Sequence, residues 1–127
     1  MKAKTREWVE LAEADYAAAA MLRRSRKRRT RDLACFHLQQ CVEKYLKAWL
    51  EEEGLAVPKT HDLVRLLEPL LRTQPLWHAL KPELAILSGY AVESRYPRDP
   101  VTPNEARDLT DLTTRCRDLM RERLGIT

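Results

Sequence analysis

The chain has 127 residues, 44% hydrophobic and 33% charged, which is the length of one domain and enough to bury a core without disulfide or metal staples. Three glycines and one phenylalanine among many Ala, Leu, Arg and Glu favour helices and argue against a sheet-built fold. The net charge of +4 is uneven: residues 23–31 hold 7 of the 23 basic side chains and no acid, so the rest of the chain is mildly acidic.

No apolar run approaches the roughly 20 residues that span a bilayer. Met1 to Glu7 lead straight into an amphipathic pattern without a signal-peptide core, so a cytoplasmic location and no membrane partner are expected. Cys35, Cys41 and Cys116 are odd in number and lack metal-ligand spacing. They fall on apolar helical positions and are read as small reduced core residues. No metal site and no cofactor are expected.

A first helix is predicted from about Lys4 to Arg24, with Trp8, Leu11, Ala12, Ala18, Ala19 and Leu22 at helical spacing. Asp15 lies seven residues from both Trp8 and Leu22 and points into the same stripe. A buried carboxylate needs a partner; Arg95 is the first choice and His37 the second, with a solvated position at the stripe's edge as the alternative. The basic run after this helix suits phosphate-rich partners. It serves as readily as a solvated turn, because no aromatic is interleaved to stack on bases.

The second helix is predicted from Arg31 to Glu53, stopped by Gly54. Ala34, Leu38, Cys41, Val42, Tyr45, Leu46 and Trp49 give it a broad apolar sector. A helix this apolar is central in its bundle or shared with another subunit, which points to a homodimer. Gln39, Gln40, Glu43, Lys44 and Lys47 form a polar stripe on it.

Residues 55–59 read as a linker. Thr60 is placed to cap a third helix, with Asp62 near its positive end and Leu63, Leu66, Leu67 and Leu70 on its buried face. Pro75 and Pro82 punctuate the chain beyond it, so 73–81 read as a short turn or loop. Pro82 suits the first turn of a fourth helix that carries Leu84, Leu87, Tyr90 and Ala91 and stops near Arg95, ahead of Pro97. Thr102-Pro103-Asn104-Glu105 is a capping box. The fifth helix carries Leu109, Leu112, Cys116, Leu119 and Met120 and ends near Gly125. The expected architecture is all-α: one domain over 1–127, an up-and-down bundle of four long helices plus one short helix.

Three segments carry a family resemblance: Gln39-Gln40-Cys41-Val42-Glu43-Lys44-Tyr45-Leu46-Lys47-Ala48, then Thr60-His61-Asp62-Leu63, then Arg95-Tyr96-Pro97. In this order and spacing they resemble the HEPN domain, over most of the chain from about Trp8 to about Leu119. HEPN domains are small all-helical modules of prokaryotes, often encoded beside a minimal nucleotidyltransferase. The family contains ribonucleases, nucleotide binders and partners without activity. The resemblance also implies a homodimer.

The constellation most similar to the family pattern is Lys44, Lys47, His61, Arg95 and Tyr96, with Glu43. Such a set makes a cationic pocket with an aromatic edge: Lys and Arg for phosphates, Tyr96 for a base. Structural duty explains the same residues: Glu43 and Lys47 form an i, i+4 pair, Arg95 neutralises Asp15, and Tyr96-Pro97 close the fourth helix. Catalytic members are similar to one another in another motif, an Arg followed after four to six residues by His. Arg31 with His37, and Arg72 with His78, satisfy that spacing. With 16 Arg and three His, chance supplies such hits. Arg31 and His37 are about 120° apart around a helix, so they converge only if Arg31 leans round or a second subunit contributes. Relatives often carry Asn after the Arg; here Asp32 and Thr73 stand there. As a ribonuclease the chain would need no metal. His37 would act as general acid or base, Arg31 would neutralise the phosphate, and the 2′-OH would attack. A core or interface histidine is the other reading of His37. In relatives a Tyr closing the Arg-to-His motif is modified by the transferase; no position here matches it. Gly-rich phosphate loops, HExxH, a serine elbow and paired cysteines are absent from the sequence.

The expectation is a nucleotide-binding HEPN partner module acting with a separately encoded minimal nucleotidyltransferase in a toxin–antitoxin-like system, with nucleotide or RNA as ligand. The alternatives are a metal-independent endoribonuclease toxin using Arg31 and His37, and a non-catalytic dimeric scaffold whose basic turn docks an acidic partner.

Overall fold

The computed structural model describes residues 1–91 and 99–126. Among these described residues the α-helices are α1 (Ala3–Arg23), α2 (Arg28–Glu52), α3 (Leu63–Leu67), α4 (Lys81–Ser88) and α5 (Pro103–Leu124). Two 3-10 segments, Glu68–Arg72 and Pro75–Leu80, link α3 to α4. No strand occurs among the described residues, and no helix there is long and apolar enough to cross a membrane.

α2 is the axis. It packs against α1 most extensively and also against α5, α3 and the first 3-10 segment. Leu38, Cys41, Val42, Tyr45, Leu46, Ala48 and Leu50 are all buried, so the apolar sector read from sequence faces neighbours on several sides. α1 and α2 run antiparallel, as two contacts show. Thr5 near the start of α1 donates to Glu52 at the end of α2 (2.9 Å), and Asp15 in mid-α1 meets His37. α2 closes on Gly54, whose φ of +70° is left-handed. Leu55 N donates back to Leu50 O at 2.8 Å, the closure that a glycine past a helix end permits.

The helix limits differ from expectation in three places, each for a local reason. α2 begins at Arg28, three residues before the predicted Arg31, because arginine is a good helix former and the charge run holds no breaker after Ser25. α3 is capped by Asp62, whose carboxylate accepts from Val64 N and Arg65 N. Thr60 supports it by accepting from Asp62 N at 3.1 Å. After five residues α3 passes into the 3-10 segment at Pro69, which has no N–H for the next i→i−4 bond. α4 closes at Ser88 through Gly89 N to Ile86 O and Tyr90 N to Leu87 O. It is thus eight residues long rather than one of four long helices. The predicted stop near Arg95 lies outside the described residues.

Several other expectations for these elements agree with the structure, although Tyr90 and Ala91, expected on the fourth helix, lie beyond the end of α4. Leu63, Leu66, Leu67 and Leu70 are fully buried. Within the 73–81 stretch, Pro75–Leu80 forms a 3-10 turn that buries Trp77, its ring edge-on to Trp49 at 5.0 Å. Thr102 caps α5 by accepting from Glu105 N at 3.1 Å, and Gly125, with φ +78°, ends it. Only half the capping box forms, since the Glu105 carboxylate accepts from Tyr90 instead. All three cysteines are buried; burial pushes the Cys116 thiol up to about 12 and raises Cys41 as well.

Candidate functional site

The polar stripe on α2 is not a solvated face. Glu43, only 3% exposed, gathers a cluster between α2 and the loop before α3. Its Oε1 lies 2.7 Å from His61 Nδ1 and accepts from Gln39 and Gln40 at 3.3 and 3.4 Å. Its Oε2 accepts from Lys47 Nζ at 3.0 Å. Gln39 Nε2 also donates to the His61 carbonyl at 3.0 Å, and Gln40 Nε2 to Gln39 Oε1 at 2.7 Å. Among the described residues no buried side-chain N or O lacks a partner. That is why a buried helix face can carry these groups at all.

Lys47 is shared between this cluster and a cleft. Its Nζ stands 5.5 Å from the centre of the Trp8 ring, a cation–π approach. Trp8 and Lys47 border a cleft of about 370 Å³ between α1, α2 and the 55–59 linker. Leu11, Val57 and Pro58 add apolar wall, Lys4 and Lys59 add two cations, and Glu7 and Glu51 complete the lining.

A second cluster sits further back along α2. Asp15, 8% exposed, takes His37 Nδ1 at 2.7 Å and Lys44 Nζ at 2.5 Å. Asp15 therefore finds His37, the second of its two expected partners, together with Lys44. The predicted set of Lys44, Lys47, His61, Arg95 and Tyr96 divides accordingly. Lys47 and His61 meet on Glu43, while Lys44 turns to Asp15. Arg95 and Tyr96 lie outside the described residues.

Arg31 and His37 are held separately within one chain. Arg31 Nε donates to Val101 O at 3.1 Å. Its neighbour Asp32, 4% exposed, accepts from Val101 N at 2.8 Å and from Arg29 at 3.1 Å. No hydrogen bond or ion pair joins Arg31 to His37 among the described residues. Arg72 and His78, the other pair at that spacing, are both exposed.

A third cluster has no counterpart in the sequence expectations. Glu13 accepts from Arg117 at 2.7 and 2.6 Å and from the Tyr45 hydroxyl, with Arg121 at 3.5 Å. The Arg117 guanidinium also lies 4.6 Å from the Tyr16 ring centre. This ties α1, α2 and α5 together. Burial alone would raise the Glu13 carboxyl, but the hydrogen bonds from Arg117 and Tyr45 and the charges of Arg117 and Arg121 outweigh it and hold it below its usual range. Burial first, then the Glu13 carboxylate, raises the Tyr45 phenol. The one sequence signal for this cluster is Tyr45 itself, since a phenol on a buried stripe needs a polar partner.

Among the described residues no group of His, Cys, Asp and Glu is arranged to hold a metal ion. Fold and site together define a small helical bundle whose central helix carries buried carboxylate–cation clusters. The HEPN domain family matches residues 5–123, nearly the whole length, and the chain belongs to that family. Membership supports a nucleotide-binding or ribonuclease-type module. Neither a curated protein nor a solved structure gives a significant match.

Proposed function

We propose that this protein is a nucleotide-binding HEPN module that works as a homodimer beside a separately encoded minimal nucleotidyltransferase, in a toxin–antitoxin-like pair. The observation that carries the binding half is the cleft beside Lys47. Its volume of about 370 Å³ falls within the range of small-ligand sites, about 300–1,000 Å³. Trp8 offers a face for a base, and Lys4, Lys47 and Lys59 offer charge for phosphates. Glu43 fixes Lys47 in place, and His61 buttresses Glu43 from the loop side. In this reading Trp8 is the aromatic wall of the cleft. The transferase and the dimer rest on the family resemblance.

Calorimetric titration with ATP and GTP tests the cleft. Saturable binding is expected, weakened roughly tenfold or more by Lys59→Ala, the loss of one charge-assisted contact. Trp8→Leu should weaken it further. Absence of heat with either nucleotide at millimolar concentration sinks the reading.

One observation favours a second reading, the metal-independent endoribonuclease. The Asp15 carboxylate at 2.7 Å orients the His37 ring, as a general acid or base requires. Arg31, bound to Val101, would then have to act across a subunit boundary. RNA cleavage in EDTA that disappears in a folded His37→Ala variant would establish this reading over the first.

A further inference from the structure

The basic run lies far from the cleft beside Lys47. Lys4 and Arg23 are nineteen residues apart on α1, about 28 Å at 1.5 Å per residue. There, where α1 ends and α2 and α5 begin, a second cleft of about 380 Å³ is lined by Arg23, Arg24, Arg26, Arg31 and Arg107, with Ser25, Pro103 and Ala106. The five arginines come from the last turn of α1, the connecting turn, α2 and the first turns of α5, and no carboxylate shares the lining.

The charges are available. Arg23, Arg24 and Arg26 are exposed and make no ion pair among the described residues. Arg107 has Asp108 at 4.0 Å, with both side chains more than 60% exposed, a pairing that water screens almost completely. Arg31 is fixed through its Nε to Val101 O. The positive end of α5 adds to the same wall. Favourable placement at the C-terminus of α1 accounts for Arg23 and Arg24, but not for Arg26, Arg31 and Arg107. Five like charges around one small space repel one another, and a polyanion relieves that repulsion.

We propose that this cleft docks the phosphodiester backbone of a nucleic acid. Guanidinium groups match phosphate oxygens through two parallel N–H donors. Five of them spread over three helices and a turn exceed the needs of one phosphate and suit successive phosphates along a strand. The lining has no aromatic ring to stack on a base and no large apolar side chain to enter a bilayer. Recognition is therefore by charge alone: independent of sequence, and blind to the 2′-OH that distinguishes RNA from DNA. The inference does not depend on the nucleotide cleft, since the two sites share no residue.

The test is fluorescence anisotropy of the full chain with a short labelled RNA strand and a DNA strand of the same sequence, from about 50 to about 200 mM salt. Similar affinities are expected, with log K falling linearly in log salt at a slope of about −3.5 for five phosphates neutralised at about −0.7 each. The combined Arg23→Gln, Arg24→Gln and Arg26→Gln variant should flatten that slope by about 2 and weaken binding at low salt by tenfold or more, with its melting temperature unchanged. Arg107→Gln alone should flatten it by about 0.7, which keeps the test open if the triple variant folds poorly. Lys59→Gln, in the other cleft, should leave strand binding as it is. An unchanged slope in the arginine variants overturns the proposal. So does complete competition by ATP at equal concentration, which would mark a small-anion site, or tighter binding to phosphatidylserine vesicles than to either strand.

Discussion

Glu43 shows how a single side chain can organise a site. It is buried on an apolar helix, and every group around it donates to it. Removing it strands the Lys47 ammonium, 11% exposed, without a counter-charge. Breaking one half of a buried pair typically costs about 3 kcal/mol or more, so Glu43→Ala should lower the urea midpoint by an amount of that order. A loss under about 1 kcal/mol would mean that the cluster contributes little to the fold. Glu13 behaves differently because its effect is tied to pH. Its folded-state carboxyl titrates below the usual range. Its stabilisation is therefore complete above the unfolded value of about 4.3 and is lost as pH falls through the lower folded value. In melting curves below about pH 4, Glu13→Gln should show a shallower acid decline than the parent chain. Identical acid limbs would count against the Arg117 and Tyr45 contacts as the cause.

Between elements, the joints are made by a few polar contacts at helix ends. α2 holds the segment leading into α5 through Val101: Arg31 takes its carbonyl and Asp32 its amide. Asp32→Ala removes a charged acceptor from a buried N–H, which costs about 2 kcal/mol. Hydrogen exchange should detect it first as faster exchange at Val101 and the start of α5; protection that stays unchanged there would refute the joint. Thr102→Ala, which deletes the α5 cap, should cost about 1 kcal/mol by thermal melting. The start and stop of α5 were legible because Thr-Pro-Asn-Glu and Gly125 act on their own backbone. The role of Ser88 was not, because its partner lies on another element: its hydroxyl accepts from Leu63 N at 2.9 Å. No local pattern announces a side chain from one helix capping another.

Across the whole molecule the two clefts stand at opposite ends of the α1–α2 pair, one with an aromatic wall and one lined by arginine. If the first binds nucleotide, ligand linkage sets its effect on stability: a hundredfold excess over Kd adds about 2.7 kcal/mol. For a domain of this size that corresponds to a rise in Tm on the order of 10 °C. Scanning fluorimetry with ATP should show that rise in the parent chain and a much smaller one in Trp8→Leu. Equal shifts in both would place the ligand elsewhere.

The sequence by itself determined the helical class, the central role of α2, the buried leucine face of α3 and the caps of α5. Each of these comes from apolar periodicity or from residues acting on adjacent backbone. It also supplied the motifs that mark the HEPN family. Only the tertiary structure decided how the polar stripe divides, with Lys47 and His61 on Glu43 and Lys44 on Asp15. It alone brought Trp8 to Lys47 and Arg107 to the basic turn. The physical reason is distance along the chain. A carboxylate buried on one helix selects whichever cation the packing delivers, and that choice is fixed by how helices cross rather than by the spacing of residues within any one of them.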